Sequence, residues 1–192
     1  MKFDVINRLE RYFDVMELPQ EEKKKRVELG DDLFDAFYFV LSMMAIDKDI
    51  DKDFYVESLR GRVTDAFKDA DVRYEEEYLN KMTEEIIDTT LRHLDEDYYF
   101  SEERALLIAE NETNTSFNNY DYVTAKENGA AYKTWLTEGD EKVRTAHADV
   151  DFERIPIDDY FYVGGDRMRY PHDYLNGSPE NLINCRCTCK YE

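Results

Sequence analysis

The 192-residue sequence predicts an α+β protein, in which a helical N-terminal half packs with a C-terminal domain of one long helix, a short helix and a small, mostly antiparallel sheet. Two observations support this prediction. Apolar residues recur at helical spacing through most of residues 1–96. After Gly129, apolar and polar residues alternate in short runs separated by glycine and proline, as in strands joined by turns. We therefore divide the chain into a helical region, residues 1–96, and a second domain, residues 101–192.

Four helices are predicted in the first region. "FDVINRLERYF" has apolar residues at helical spacing, and Pro19 separates it from a second helix over about residues 21–46. The third and fourth helices are predicted over about residues 54–68 and 74–94. The most apolar stretch, "AFYFVLSMMAI", is far shorter than the ~20 residues that a membrane span needs. We therefore expect a buried helix there and no membrane partner.

The second domain begins with another predicted helix. Ser101 is its candidate N-cap, and Gly129 is typical of its end. "AAYKTWLTE" alternates like a strand, Gly139 and Asp140 predict a turn, and Asp140 is placed to cap a short helix, "EKVRTAHADV". Short strands are predicted among the prolines and glycines of residues 154–183, and the end of the chain predicts a last strand.

Polar residues crowd the middle of the predicted fifth helix, "NETNTSFNN". On a helix, Glu112, Thr115, Ser116 and Asn119 share one face. Three interpretations stay open for this face: a ligand site, a solvated surface, or a partly buried Glu112 that binds a basic group of the second domain.

The charge of the chain restricts its partners. Acidic residues outnumber basic ones by 45 to 25, and the formal net charge is −20. Because nucleic-acid affinity comes mainly from Lys and Arg on phosphates, we do not expect direct binding to DNA or RNA. The same charge favours a basic protein surface as partner. The N-terminal residues lack the pattern of a secretory signal, so the cytoplasm is the expected location.

The three cysteines, Cys185, Cys187 and Cys189, occupy every second position near the end, in "NLINCRCTCKYE". A strand would place their side chains on one face and the intervening residues on the other. Neighbouring side chains on one face do not easily form a disulfide, and an odd count argues against a disulfide framework. We favour the interpretation that they are small apolar side chains packed on a sheet.

Two chemical alternatives remain for these cysteines. Zinc binds four tetrahedral ligands, usually Cys or His, and His147 and His172 could join Cys185 and Cys187. The other alternative is a nucleophilic pair of His147 with Cys185 or Cys187. The C-x-C-x-C spacing is uncommon for structural zinc, and any chain with several cysteines and histidines offers such pairs. We therefore expect no cofactor, with zinc as the alternative.

A charged cluster occurs in "DEKVRTAHADVD", where Asp140, Arg144, His147 and Asp151 recur at spacings of three and four. If the predicted helix continues, these residues line one side and form Asp–Arg and His–Asp pairs. Such a set can perform acid–base chemistry. More often it is a lattice of ion pairs and hydrogen bonds that fixes a short helix to its neighbours, and we favour this structural interpretation.

The motifs of the second domain occur in a specific order. An Arg, an Ile-Ala pair and a Glu-Thr pair lie on a helix; a Gly and a strand with a Trp follow; then come Asp-x-x-x-Arg-x-x-His with a later Asp, a Phe, a Pro and Asn-Cys-Arg-Cys. This pattern resembles the phage Mu protein F-like family, also called the phage head morphogenesis or minor head protein family. The matching residues are Arg104, Ile108, Ala109, Glu112, Thr113, Gly129, Trp135, Asp140, Arg144, His147, Asp151, Phe161, Pro171, Asn184, Cys185, Arg186 and Cys187.

The resemblance implies a Mu F-like head morphogenesis domain at residues 101–192 and a non-enzymatic minor head protein of a phage or prophage. Such a protein would contact phage portal and capsid proteins, in the host cytoplasm during assembly and afterwards in the virion. The motif residues would then form a structural polar cluster of Glu112, Asp140, Arg144, His147, Asp151, Asn184 and Arg186. The chain departs from the family pattern at Glu110, Asn111 and Phe152.

Two other functions remain as alternatives. The first is a metal-binding or Cys/His hydrolytic enzyme domain, with His147, Cys185 and Cys187 as its candidate residues. The second is an acidic regulator or inhibitor that binds a basic protein through the helical region. The sequence does not specify an oligomeric state.

Overall fold

The computed structural model describes residues 4–16, 18–47 and 49–192. The chain forms two compact units, one of Met1–Phe13 with Pro19–Thr113, the other of Asp14–Leu18 with Asn114–Glu192. The division falls inside one long helix, which therefore contributes residues to both units. The helical first half and the small antiparallel sheet later in the chain confirm the predicted α+β class.

The first unit is helical. Its elements are α1 (Val5–Asp14), α2 (Gln20–Ile46), α3 (Lys52–Asp69), α4 (Glu76–Arg92), a 3-10 turn (Asp97–Phe100) and the beginning of α5 (Glu102–Glu127). The helices predicted before residue 96 are all present. Among the residues that the structure describes, no helix combines the length and the apolar character that crossing a membrane requires.

The core of the first unit follows from the helical spacing of its apolar residues. Helix α3 packs against both α2 and α4. Leu33, Phe37 and Val40 of α2 are fully buried, as are Leu59 and Val63 of α3. Since each such side chain contributes about 1.5–3 kcal/mol when it is removed from water, this apolar surface holds the three helices together.

The start of α5 is fixed by a buried arginine. The Arg104 guanidinium donates hydrogen bonds to Thr90 Oγ1 at 2.7 Å and to the carbonyl oxygen of Tyr99 at 2.6 Å. The hydroxyl of Ser101 accepts a hydrogen bond from the backbone N–H of Arg104 at 3.2 Å, which confirms the predicted N-cap.

The second unit contains the sheet. After the last part of α5 its elements are β1 (Tyr132–Leu136), α6 (Thr145–Ala148), β2 (Arg154–Pro156), β3 (Phe161–Val163), β4 (Asp166–Met168), α7 (Pro179–Leu182) and β5 (Thr188–Tyr191). Strand β1 lies between β2 and β5 in an antiparallel sheet, and β3 and β4 form a separate antiparallel pair. The strand predicted after Gly129 is confirmed as β1.

The core of the second unit is centred on Trp135 of β1. The indole is fully buried and packs in one cluster with Val150, Phe161, Val163 and Met168. The ring of Phe161 meets the indole edge to face, with 5.1 Å between centroids. The alternation that predicted β1 as a strand therefore also places its Trp side chain in the core.

The predicted helix over residues 141–150 is wrong in extent, because α6 contains only Thr145–Ala148. Asp140 does not cap this helix. Its carboxylate accepts a hydrogen bond from the backbone N–H of Lys142 at 3.0 Å, which closes a turn before the helix starts. Arg144 occupies the N-cap position instead.

The last strand is shorter than predicted, because β5 begins at Thr188 and Cys185 and Cys187 precede it. Asn184 has a φ of 59°, a left-handed conformation that Asn tolerates better than most residues. The backbone N–H of Cys185 donates to the carbonyl of Leu182 at 3.1 Å. The chain therefore turns after α7 before it can enter the sheet.

A fully buried lysine is the second inward-facing residue of β1. Lys133 Nζ donates a hydrogen bond to the carbonyl oxygen of Asp159 at 2.6 Å and lies 5.1 Å from the ring centroid of Tyr122 and 5.4 Å from that of Phe161. Burial lowers the pKa of Lys133 to about 8, from its usual value of 10.5. Between pH 8 and pH 10.5, Lys133 therefore holds its proton more strongly in the unfolded chain than in the folded chain.

This difference predicts a rise in stability with pH, since stability increases with pH wherever the unfolded state holds more protons. The cost of the buried charge is fully present below pH 8 and is relieved as the pH rises towards 10.5. The substitution Lys133→Met keeps the length of the side chain and removes its charge. The variant should therefore lack this rise in stability with pH. Urea unfolding of both proteins at several pH values measures it. If the wild type and Lys133→Met differed in unfolding free energy by the same amount from pH 7 to pH 10.5, the prediction would be contradicted.

Candidate functional site

The two cysteines before β5 lie in the core of the second unit. Cys185 is 2% exposed and Cys187 is 4% exposed, and both belong to the apolar cluster of Trp135. Between them, Arg186 turns the other way and forms a bidentate pair with the Asp140 carboxylate, with N–O distances of 2.9 and 2.8 Å. The alternation predicted for this segment is therefore present, although the segment is not part of the sheet.

A buried histidine meets both thiols. His147, on α6, is 1% exposed. Its Nδ1 lies 3.4 Å from the Sγ of Cys187 and 3.6 Å from the Sγ of Cys185. One candidate ligand atom from each of the three residues lies within 4.8 Å of the other two. The residues that the sequence offered as metal candidates are thus brought together.

The orientation of the imidazole is set by Asn181 of α7. His147 Nε2 lies 3.4 Å from Asn181 Oδ1. Asn181 Nδ2 donates hydrogen bonds to the carbonyl oxygen of Val163 at 2.9 Å and to Asp166 Oδ2 at 2.8 Å. Because the amide nitrogen faces these two acceptors, its oxygen faces the ring, and Nε2 is the nitrogen that carries hydrogen. In the neutral ring, the lone pair of Nδ1 therefore faces the sulfur atoms.

Asp166 and Gly164 hold Asn181 in place. The backbone N–H and the hydroxyl of Ser178 both donate to Asp166 Oδ2 at 2.7 Å, and these bonds, with that from Asn181, hold the pKa of Asp166 below its usual value. Gly164 has a φ of 57°, and a Cβ there would lie 2.9 Å from Asn181 Nδ2. The turn between β3 and β4 therefore requires glycine for two reasons, its backbone conformation and the closeness of the amide.

Buried donors satisfy the backbone carbonyls of the two cysteines. The carbonyl oxygen of Cys185 accepts hydrogen bonds from His172 Nε2 at 2.6 Å and from Asn114 Nδ2 at 3.2 Å. The carbonyl oxygen of Cys187 accepts one from Asn118 Nδ2 at 3.4 Å. Since a buried carbonyl without a partner costs free energy, these asparagines of α5 compensate for the missing neighbour strand.

Other polar residues of α5 bind buried polar side chains of the second unit. Thr115 Oγ1 lies 3.2 Å from His172 Nδ1, and the Tyr170 hydroxyl donates to Asn119 Oδ1 at 2.8 Å. Both α5 residues are buried, so this part of the polar set is not a solvated surface. His172 uses both ring nitrogens in these contacts, which leaves neither for the zinc ligation suggested by the sequence.

The two buried thiols have opposite pKa shifts. Hydrogen bonding from the Cys187 thiol holds the pKa of Cys185 well below its usual value. The pKa of Cys187 is raised, because its proton is shared with the Cys185 sulfur and because the side chain is buried. The pair therefore favours a thiolate at Cys185 and a thiol at Cys187.

The predicted polar cluster is distributed over several separate contacts. Asp140 pairs with Arg186, Arg144 donates to the carbonyl oxygen of Ile183, and Asp151 accepts from the backbone N–H of Thr137 at 2.9 Å. The Asp140–Arg144 and His147–Asp151 pairs predicted along one helix face do not form, because α6 is too short to align them. The remaining members are placed as follows: Glu112 accepts from the Tyr78 hydroxyl in the first unit, and Asn184 lies exposed at the turn after α7.

The sequence alone does not reveal the residues that orient the site. Asn181 and Asp166 carry no motif, and their role depends on contacts across the fold. Asn114 and Asn118 gave a signal, since asparagine in the middle of a helix is unfavourable and needs a reason. The sequence could not show that this reason is the backbone of the cysteine segment.

A comparison with known families identifies the class of the chain. A family described as Phage Mu protein F like protein matches residues 74–190. The match covers more than half of the chain and includes the cysteine segment, His147 and the asparagines of α5. The chain belongs to this family, which confirms the resemblance and indicates a phage protein related to the head. Neither the curated proteins nor the solved structures contain a match.

The turn at Gly164 predicts unequal effects of two neighbouring substitutions. Gly164 and Gly165 both have positive φ, 57° and 96°, but a Cβ at Gly165 would meet nothing within 4 Å. Gly165→Ala should cost only backbone strain, about 1–2 kcal/mol. Gly164→Ala should cost more, because it also displaces Asn181 and releases the His147 ring. Chemical denaturation of both variants tests this; equal losses of stability would contradict it.

Proposed function

We propose that this chain is a non-enzymatic minor head protein of a phage or prophage, which acts in head morphogenesis and associates with portal or capsid proteins. The family match over residues 74–190 carries the proposal. On this view the protein is present in the host cytoplasm during assembly and then in the virion.

The contacts of the motif residues support an architectural role. The Asp140 and Arg186 charges neutralise each other, and Arg144 and Asp151 bind backbone groups of neighbouring loops. The bonds of Asp140 and Arg144 connect the residues before α6 with the segment that leads into β5, and the bond of Asp151 connects the turn after α6 with the residue after β1. Residues used in this way hold a loop structure together and are less available for proton transfer to a substrate.

The space beside His147 also favours a non-enzymatic role. The cavity that borders His147, Cys185 and Cys187 has a volume of about 10 Å³. Sites for small organic molecules usually have volumes of about 300–1,000 Å³. The Cys/His group therefore lacks room for a substrate of that size, which weighs against the hydrolytic alternative.

The charge of the chain supports a protein partner with a basic surface. With a formal net charge of −20, the chain is attracted to such surfaces over distances of about a Debye length, near 8 Å at physiological salt. This attraction fits association within a protein shell. It also fits the second candidate function, an acidic regulator that binds a basic protein, and net charge is the observation in favour of that candidate.

Analysis of purified particles separates these functions. We expect mass spectrometry of density-purified virions to detect the chain, and chemical crosslinking to join it to portal or capsid proteins. A stop codon early in the gene should reduce the yield of infectious particles, and a synonymous change at the same codon should not. A chain that is missing from virions, together with normal yield from the stop-codon mutant, would contradict the proposal.

The regulator alternative makes the opposite prediction for partners. Affinity purification from infected or lysogenic cells would then recover a basic protein that is not part of the particle. Recovery of portal and capsid proteins alone would remove this alternative. Raising the salt concentration during the wash provides a control, since contacts that depend on charge weaken as salt rises.

A further inference from the structure

Three side-chain atoms of the kinds that zinc prefers converge in the core of the second unit. We propose that this unit binds one zinc ion through His147 Nδ1, Cys185 Sγ and Cys187 Sγ. The proposal is independent of the role in head assembly, since it rests on distances and hydrogen bonds within the unit. Mixed nitrogen and sulfur ligands in a tetrahedral arrangement are typical of zinc rather than of magnesium or calcium.

The distances between the ligand atoms fit zinc. Zinc lies about 2.0–2.1 Å from histidine nitrogen and about 2.3 Å from cysteine sulfur. With tetrahedral angles, these bond lengths separate nitrogen and sulfur by about 3.5 Å. The observed distances from His147 Nδ1 are 3.4 Å to Cys187 Sγ and 3.6 Å to Cys185 Sγ. Both nitrogen–sulfur separations therefore match those of a tetrahedral zinc site, and all three atoms lie within 4.8 Å of one another.

Hydrogen bonds explain the arrangement of the nitrogen and the two sulfur atoms less well than a bound metal ion does. A neutral imidazole nitrogen without hydrogen has one lone pair, which accepts one hydrogen bond well. His147 Nδ1 has two sulfur atoms at nearly equal distance. A single cation satisfies the nitrogen and both sulfurs together. Because the ligands bind as thiolates, metal binding releases the proton or protons that the pair of thiols carries.

The histidine is already oriented for ligation. Histidine ligands of metals usually donate their other N–H to a carboxylate, a carbonyl or water, which fixes the ring. Here the acceptor is Asn181 Oδ1, and Asn181 is held in turn by Val163 and Asp166. The metal would therefore bind a ring whose orientation the protein sets in advance.

The three proposed ligand residues border a small cavity. The cavity of about 10 Å³ is lined by the three ligand residues and by Glu138 and Arg144, among others. A cavity needs about 10–15 Å³ to hold one water molecule. We assign the fourth coordination position to a water molecule in this space. Three protein ligands and one water satisfy the four-coordinate preference of zinc.

The ion would connect parts of the chain that are distant in sequence. His147 lies on α6, whereas the two cysteines lie some 40 positions later, between α7 and β5. Binding that requires the folded arrangement stabilises it, so the metal would raise the stability of the whole second unit.

Metal content and stability test the proposal, with a matched control in the same segment. Cys189 lies in β5 outside the three-residue group, so Cys189→Ser changes the same residue type without removing a ligand. After loading with zinc and gel filtration, elemental analysis should find about one zinc per chain in the wild type and in Cys189→Ser. Cys185→Ser, Cys187→Ser and His147→Ala should bind at least tenfold more weakly. A chelator should lower the melting temperature of the first two proteins only.

A second measurement keeps the test decisive if the ligand variants fail to fold. Cobalt added to the wild-type protein should give the absorption of a tetrahedral thiolate complex, and added zinc should remove it. Absence of zinc after loading, absence of the cobalt spectrum, or a chelator without effect on the wild-type melting temperature would each overturn the proposal. Loss of zinc in Cys189→Ser with the fold intact would overturn the choice of ligands. None of these outcomes affects the virion experiment.

Discussion

The second unit depends on one constraint: buried backbone carbonyls in a segment without a neighbouring strand must find hydrogen-bond donors elsewhere. Cys185 and Cys187 enter the core before β5 begins, so sheet hydrogen bonds do not satisfy their carbonyl oxygens. Asn114, Asn118 and His172 supply the donors. These donors lie on α5 and on the loop before α7. Their hydrogen bonds therefore hold the cysteine segment, α5 and this loop in position together.

The candidate site combines this constraint with a second one. The ring of His147 is turned by Asn181, which in turn needs the β3–β4 turn and its glycine at position 164. Each contact restricts the next, so the three potential ligand atoms meet through packing and hydrogen bonds rather than through a local motif. A zinc ion bound there would use an arrangement that the polar residues of the fold already maintain.

The sequence predicted the helices and β1 well, because apolar periodicity depends on neighbours a few positions away. It also predicted that Cys185 and Cys187 share a side of the chain. It did not predict the partners of Asp140 and Asp151, since these lie far away in sequence or in turns. The predicted helix around His147 was too long because the Asx turn at Asp140 competes with helix formation. The spacing of charged residues does not reveal this competition.

The sheet order has a consequence for how the chain is made. Strand β1 pairs on one side with β5, which is synthesised some 50 residues later. Until β5 leaves the ribosome, Trp135 and Phe161 have no complete core to enter, and one edge of β1 stays open. An exposed edge and exposed aromatic side chains favour aggregation. The second unit therefore cannot complete its three-stranded sheet until β5 has been synthesised.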